Sequence, residues 1–254
     1  MNRFDGKCVL VTGAGSGFGE AIARRFAAEG ARVCLSDIDG ARLSAVDRSL
    51  QDAGATVRAV LADVAKEDDV RNVVDAAHST FGKIDVLVNN AGYSHRSQPM
   101  WKISVADFDA VFAVNVRGVF LGCKYAIPHM IEQGGGVIVN IASIGAVAPR
   151  PGVTPYNATK GAVLTLSRGL ALEVARHNIR VNAVNPVAAA TAFMKGAMGV
   201  DALNDQQRAA LVATIPRGRL AEPRDVAGAV TFLASDDADM ITGTCIDVDG
   251  GRSV

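Results

Sequence analysis

Tyr156 and Lys160, in the run Y-N-A-T-K, stand four residues apart, and Ser143 precedes the tyrosine by thirteen positions. Four residues is about one turn of α-helix, so the phenol and the ammonium share a face. A free tyrosine titrates at about 10 and is a poor acid or base at neutral pH. A lysine cation beside it favours the phenolate and lowers that value toward a useful range. A serine hydroxyl nearby can hold the oxygen that gains or loses the proton. Such a trio is suited to proton transfer at an alcohol or carbonyl oxygen.

A second group of residues near the N-terminus says what the proton transfer is coupled to. Cys8–Val11 is a short apolar run that fits a buried strand, and Gly13, Gly15, Gly17 and Gly19 crowd the turn after it. Ala21, Ile22 and Phe26 then recur at helical spacing. Strand, glycine turn and helix together form a cradle for a dinucleotide pyrophosphate, because backbone amides reach the phosphates and the helix N-terminus attracts negative charge. A second apolar run, Ala31–Leu35, ends in Ser36 and Asp37, about twenty residues beyond the glycine turn. A carboxylate there accepts both adenosine ribose hydroxyls and repels a phosphate on the 2′ oxygen. Neither Ser16 nor Ile38 is basic. NAD(H) is therefore expected over NADP(H).

The elements that must position these groups alternate regularly. Helical patterns at Ala41–Ala53, Glu67–Phe81, about Ser104–Gln133 and Tyr156–His177 separate apolar runs that end near Asp63, Asn90, Ala142 and Asn185, and a seventh run, T-C-I-D-V-D, lies near the end. Strands interleaved with helices in this way predict an α/β fold: a doubly wound, mainly parallel seven-stranded sheet with helices on both faces. No Pro- or Ser-rich linker divides the 254 residues, so one domain is expected. Lys plus Arg equals Asp plus Glu at 26 each, which gives no electrostatic reason to expect a nucleic-acid or anionic-membrane partner. The N-terminus lacks the apolar core of a secretory signal, and no uninterrupted apolar stretch is of membrane-spanning length. Cys8, Cys34, Cys123 and Cys245 are scattered among apolar neighbours, which points to buried thiols in a reducing, cytoplasmic setting and to no disulfide or metal site.

The chain resembles the short-chain dehydrogenase/reductase family, of the compact Rossmann-like type, over essentially its whole length. The matching segments are T-G-A-G-S-G-F-G at Thr12–Gly19, Asp63 in L-A-D-V, N-N-A-G at Asn89–Gly92, Asn115 in V-N-V, Ser143 in I-A-S, the Tyr156/Lys160 pair, and V-N-A-V-N-P ending at Pro186. The resemblance implies that Tyr156 is the acid/base, that Ser143 holds the substrate oxygen, that Lys160 binds the nicotinamide ribose and stabilises the phenolate, and that Asn115 holds a water that passes the proton to solvent. It implies cofactor contacts from Gly13, Ser16, Phe18, Gly19, Asp37, Asp63, Val64, Asn89, Ala91, Gly92, Tyr156, Lys160, Pro186, Ala189 and Thr191. It further implies a homotetramer built through Ser104–Gln133, Tyr156–His177 and Thr244–Val254. The implied reaction is hydride transfer between nicotinamide and a secondary alcohol or ketone, such as a small alcohol, sugar, polyol or hydroxy acid.

The sequence departs from the family where Pro186 is followed by Val187 and not glycine. Valine disfavours positive φ, so the turn there must take another conformation. The alanine-rich stretch that follows, with Phe193, Met194 and Met198, is expected to form a substrate lid over 187–215. Arg150 lies between the serine and the tyrosine and could pair with an anionic substrate group or serve as a structural contact, and His95 and Arg96 could approach the pocket mouth. Two other functions compete. One is an NADP(H)-dependent 3-oxoacyl-type reductase; the other is a dinucleotide-binding regulator without catalysis, which the presence of serine, tyrosine and lysine argues against.

Overall fold

The computed structural model describes residues 2–189 and 203–254. Its strands are β1 (Cys8–Thr12), β2 (Arg32–Asp37), β3 (Val57–Leu61), β4 (Val86–Asn89), β5 (Gly136–Ile141), β6 (Ile179–Pro186) and β7 (Cys245–Val248). They form one sheet in the order β3-β2-β1-β4-β5-β6-β7, with every neighbouring pair parallel. The helices are α1 (Gly17–Ala28), α2 (Gly40–Asp52), α3 (Glu67–Phe81), α4 (Val105–Phe112), α5 (Gly118–Glu132), α6 (Thr154–Val174), α7 (Asp205–Val212) and α8 (Pro223–Ala234).

Strand alternation divides the core into two layers. In β1 every residue is buried, but Val9 and Val11 pack with α1, α2 and α8, whereas Cys8 and Leu10 pack with α3, α5 and α6. This is why the strands read as continuous apolar runs: a parallel sheet covered on both faces has no wet side. Phe26 and Ile22 of α1, each fully buried, fasten the glycine turn's helix to the first layer. Burial of side chains of this size contributes about 1.5–3 kcal/mol each.

The helical stretch expected over Ser104–Gln133 is α4 and α5 joined through a single π-helical turn, Ala113–Arg117. Within the 28-residue run Val105–Glu132, the most apolar 18-residue window has a mean hydropathy of 1.4, enough by length and composition to cross a membrane. Arg117 and Lys124 interrupt it, and 44% of its most apolar window is buried inside the protein, where α5 packs on α3, β4 and β5. It is a core helix in this fold. The long helix expected from Tyr156 begins at Thr154 and ends at Val174, followed by a 3-10 turn to His177 and by Asn178 in the left-handed region at φ 57°.

At the departure noted above, β6 runs to Pro186, and Val187 is buried with its N–H donated to Val248 O at 3.1 Å. Among the described residues Asn178 is the one non-glycine with positive φ, so the chain passes Val187 without strain. Of the expected lid, the two ends are described. Val187 and Ala189 on one side meet Ile215, Leu220 and Ala221 on the other in a small apolar cluster with Ile144. Phe193, Met194, Met198 and Thr191 lie outside the described residues. Helix α7 is held at its start by a capping box between Asn204 and Gln207.

Candidate active site

β1 is flanked by β2 on one side and β4 on the other, so the sheet's winding reverses at its carboxyl end, and a crevice opens there. The crevice is stitched rather than merely left open. Thr12 Oγ1 accepts from the N–H groups of Asn90 (3.0 Å) and Ala91 (3.1 Å), and Asn90 Nδ2 donates to Thr12 O (2.9 Å) and Gly13 O (3.1 Å). The cleft above has a volume of about 610 Å³ and runs from Asp37 to Arg252.

At its β2 end, Gly13 and Gly17 take positive φ (65° and 58°), the region glycine enters without penalty. Ser16 caps α1 without a side-chain hydrogen bond, so the first-turn amides of a twelve-residue helix are left for a ligand. Asp37 Oδ2 accepts from Gly15 N at 2.8 Å, and a Cβ on Gly15 would come within 2.9 Å of that oxygen. Its Oδ1 accepts from Asp39 N at 2.9 Å. The carboxylate is thus locked against the glycine turn while still lining the cleft. Asp63 and Val64 line the same end, with Asp63 Oδ1 fixed by Ala65 N at 2.9 Å.

In the middle stand Ser143, Tyr156 and Lys160, all lining the cleft. β5 delivers Ser143, and α6, started by Pro155, carries the other two one turn apart. Ser143 Oγ accepts from Gly145 N at 3.1 Å and hydrogen-bonds Tyr156 in a way that favours the phenolate. Lys160 Nζ is buried, donates to Ile141 O at 2.8 Å and lies 5.8 Å from the centre of the Tyr156 ring. Burial pushes its pKa down to about 8.

Tyr156 is held above its ordinary value, because burial outweighs the opposing Ser143 hydrogen bond and the Arg150 cation. Lys160 donates to the Ile141 carbonyl and is itself desolvated. Arg150 is a cation that opposes the burial of the phenol.

Other expected residues are placed differently. Asn89 is interior: its Nδ2 donates to Asn140 Oδ1 at 2.9 Å, and it does not line the cleft. Strand alternation turns Asn89 inward, so the lining position belongs to Asn90. Gly19 is also interior, and a Cβ on it would stand 2.0 Å from Gly13 O; its role is close packing of α1 on the turn. Asn115 lies in the π-turn, fully buried. Its Oδ1 accepts from Tyr93 N (2.8 Å), and its Nδ2 donates to Tyr93 O (2.9 Å) and Thr159 Oγ1 (3.0 Å). Both amide protons are committed to protein acceptors, and the side chain fixes Tyr93, a lining residue. His95 is buried beside the Arg96 carbonyl, and neither residue lines the cleft; Tyr93 and Ser94 do. Gly13, Ser16, Phe18, Ala91, Gly92, Pro186 and Ala189 line it as expected.

Among the lining residues that had not been expected are two cations, Arg42 and Arg252. Arg42 follows from its place on the first turn of α2, beside the glycine turn, where its Nε pairs with Asp39 at 3.2 Å. Arg252 has no local signal, since only the folding of the C-terminal tail brings it here. The chain's four thiols take no part: none lines the cleft, and burial pushes each up to about 12.

The fit to a dinucleotide is supported by the uncapped α1 amides and by a buried ammonium with a single acceptor, which keeps two protons for a ligand. A family model described as enoyl-(acyl carrier protein) reductase matches residues 13–253. The chain is 44% identical to 4-formylbenzenesulfonate dehydrogenase of Comamonas testosteroni, over 96% of this chain and 97% of that protein. It is 43% identical to 2-(R)-hydroxypropyl-CoM dehydrogenase of Xanthobacter autotrophicus, over 96% and 97%. The crystal structure of a 3-ketoacyl-(acyl-carrier-protein) reductase from Brucella melitensis complexed with NADH superimposes with a TM-score of 0.92 at 47% identity, covering 98% of this chain and 99% of that one. With cleft, stitching and sequence in agreement along nearly the full length, the chain belongs to the short-chain dehydrogenase/reductase family, as a compact oxidoreductase of the single-domain type.

Proposed function

We propose that this protein is an NAD(H)-dependent oxidoreductase that interconverts a secondary alcohol and a ketone. The observation that carries the reading is the convergence of Ser143, Tyr156 and Lys160 on one wall of a cleft whose far end presents Asp37. A nicotinamide dinucleotide bound there supplies or accepts the hydride. In the oxidation direction Tyr156 removes the hydroxyl proton, and Ser143 holds the substrate oxygen in line with it. The two uncommitted ammonium protons of Lys160 bind the ribose hydroxyls, and a cationic ring bound nearby lowers the phenol further. Asn115 acts as a positioning residue through Tyr93.

Asp37 favours NAD(H), since a carboxylate repels a 2′-phosphate, and Arg42, which lines the same cleft, is held by Asp39. A homotetramer acting in the cytoplasm completes the proposal. A second reading, an NADP(H)-dependent 3-oxoacyl reductase, draws on the reductase activity for which the 47%-identical solved relative is named.

Steady-state assays with neutral ketones, sugars and hydroxy acids, run with NAD(H) and NADP(H) in parallel, separate these. Turnover with NAD(H) at least ~10-fold better than with NADP(H) is expected; one tenfold step is about 1.4 kcal/mol of discrimination. NADP(H) preference with 3-oxoacyl substrates selects the second reading, and tight NADH binding without any turnover selects a regulator. The double change Asp37→Ser/Ile38→Arg should move the cofactor ratio toward NADP(H), and an unmoved ratio refutes the role of Asp37.

A further inference from the structure

The charges along the cleft are segregated by strand. Its two carboxylates, Asp37 and Asp63, follow β2 and β3. On the opposite side of the sheet, Arg150 follows β5 and Arg252 follows β7. Among the described residues neither of these guanidiniums has a carboxylate partner or a side-chain hydrogen bond, whereas Arg42 at the acidic end is paired. Both are half-buried, so leaving them unpaired has a desolvation cost that an anionic ligand would offset.

Their backbones are held in place even though their side chains are not. Arg150 O accepts from Asn157 Nδ2 at 2.9 Å, and Asn157 adjoins Tyr156. The tail that carries Arg252 is folded around Asp249, whose carboxylate accepts from Gly251 N (2.9 Å) and Ser253 N (2.7 Å). Gly251 packs on Pro216, next to the apolar cluster of Val187, Ala189 and Ile215. The same cleft offers apolar lining from Ala148, Val187, Ala188 and Leu211.

We infer that the substrate is an acid, carrying a carboxylate or sulfonate that Arg150 and Arg252 hold at the β5–β7 end while its carbinol or carbonyl carbon lies against Ser143 and Tyr156. The inference rests on the oxidoreductase reading of the same cleft and adds the substrate's charge and shape: an apolar body with the acid group remote from the reacting carbon. Arg150 serves twice, because the same cation that binds the acid also opposes the burial of the phenol.

The test compares matched pairs on the purified full-length protein with NADH: 4-acetylbenzoate against its methyl ester, 4-acetylbenzenesulfonate against the sulfonamide, and acetoacetate against its methyl ester. Binding to the enzyme–NADH complex is measured by calorimetry and turnover by loss of NADH absorbance. At least one acid should be favoured over its neutral partner by ~10- to 100-fold, chiefly through KM or Kd, as expected for a charge-assisted bidentate contact. Arg150→Ala should reduce that acid-to-neutral ratio to within about threefold of unity, Arg150→Lys should keep part of it, and Arg252→Ala should lower it in between. A merely structural arginine would lower both members of a pair and leave the ratio alone. The inference is overturned if no acid is favoured, whether or not anything is turned over, or if the ratio survives in both alanine variants. Reduction of neutral ketones without acid preference leaves the oxidoreductase reading standing. Preferential binding of acids without turnover does the reverse. The carboxylate and sulfonate arms show which acid group the site takes.

Discussion

Tyr156 is a phenol that burial makes less acidic, surrounded by groups that act in the other direction. The catalytic use proposed for it therefore depends on keeping Ser143 and Arg150 in place together. Tyr156→Phe removes the only proton it can exchange and leaves the ring's packing intact. Turnover should fall by at least ~10³-fold, with NADH affinity within about threefold of wild type by fluorescence titration; general acid–base catalysis supplies about 10²–10⁴. Substantial residual activity would place the acid/base elsewhere.

Lys160 offers a prediction about stability in the ligand-free protein. Its folded pKa is about 8, below the ordinary 10.5, so between those values the unfolded chain binds more protons than the folded one, and the stability contributed by this group rises with pH. Below pH 8 both states carry the charge, and the cost of burying it is present in full. Above 10.5 it has gone. At about 1.4 kcal/mol per pH unit the gap corresponds to roughly 3 kcal/mol. Lys160→Met should accordingly stabilise the free protein more at pH 7 than at pH 10.5, by an amount of that order, in urea titrations at the two pH values. An advantage that does not change with pH would mean that the ammonium is already solvated. The same variant should bind NADH poorly, because the two protons left free by Ile141 O are gone.

At the scale of elements, the site depends on a buried polar chain as much as on the glycine turn. Asn89 at the end of β4 donates to Asn140 of β5, Asn140 donates to Ser167 of α6 (2.9 Å), and Ser167 donates to Val163 O (2.7 Å). The chain links the strand that bears Asn90 to the helix that bears Tyr156 and Lys160. Asn140→Ala takes an acceptor from Asn89 and a donor from Ser167, leaving them the weak contact to Cys123 Sγ and the bond to Val163 O, at about 1–3 kcal/mol for each group that cannot find another partner. The denaturation midpoint should drop accordingly, and kcat should fall with it, although Asn140 lines no part of the cleft. If stability falls and kcat does not, the chain supports the core alone. The π-turn does related work, for it brings Asn115 against Tyr93 and Thr159 and so couples the loop after β4 to α6. Little of this was legible beforehand. The periodicity of α4–α5 reads as one helix, because one extra residue in a turn leaves no mark on a hydrophobic pattern. The N-N-A-G run likewise does not say which asparagine faces the cleft until β4 is placed between its neighbours.

For the whole molecule, the proposed homotetramer makes a demand on the surface. On the faces proposed to meet, Phe120 of α5 is 52% exposed and Leu172 of α6 is 85% exposed, with Val105 and Phe108 exposed nearby on α4. Exposed apolar side chains on long helices suit a symmetric contact between like subunits. The double change Phe120→Glu/Leu172→Glu should lower the mass seen by light scattering from that of a tetramer to that of a dimer or monomer. A monomeric wild type, or a tetramer that tolerates both charges, would refute this assembly. Arg252 gives the tail a second importance, since any assembly that moves the segment after β7 also moves a wall of the cleft.

The sequence by itself determined the alternation of strands and helices, the glycine turn, the acid at the end of β2 and the serine–tyrosine–lysine set. Each of these is encoded within a few residues, by a periodicity of two or of 3.6 or by a short motif, and needs no knowledge of distant chain. Only the tertiary structure decided that Asn89 and Gly19 face inward, that Lys160 is spent partly on Ile141, that Arg150 is a cation acting on the phenol, and that Arg252 returns to the cleft from the far end of the chain. Those outcomes depend on burial and on fields between groups far apart in sequence, and both are properties of packing.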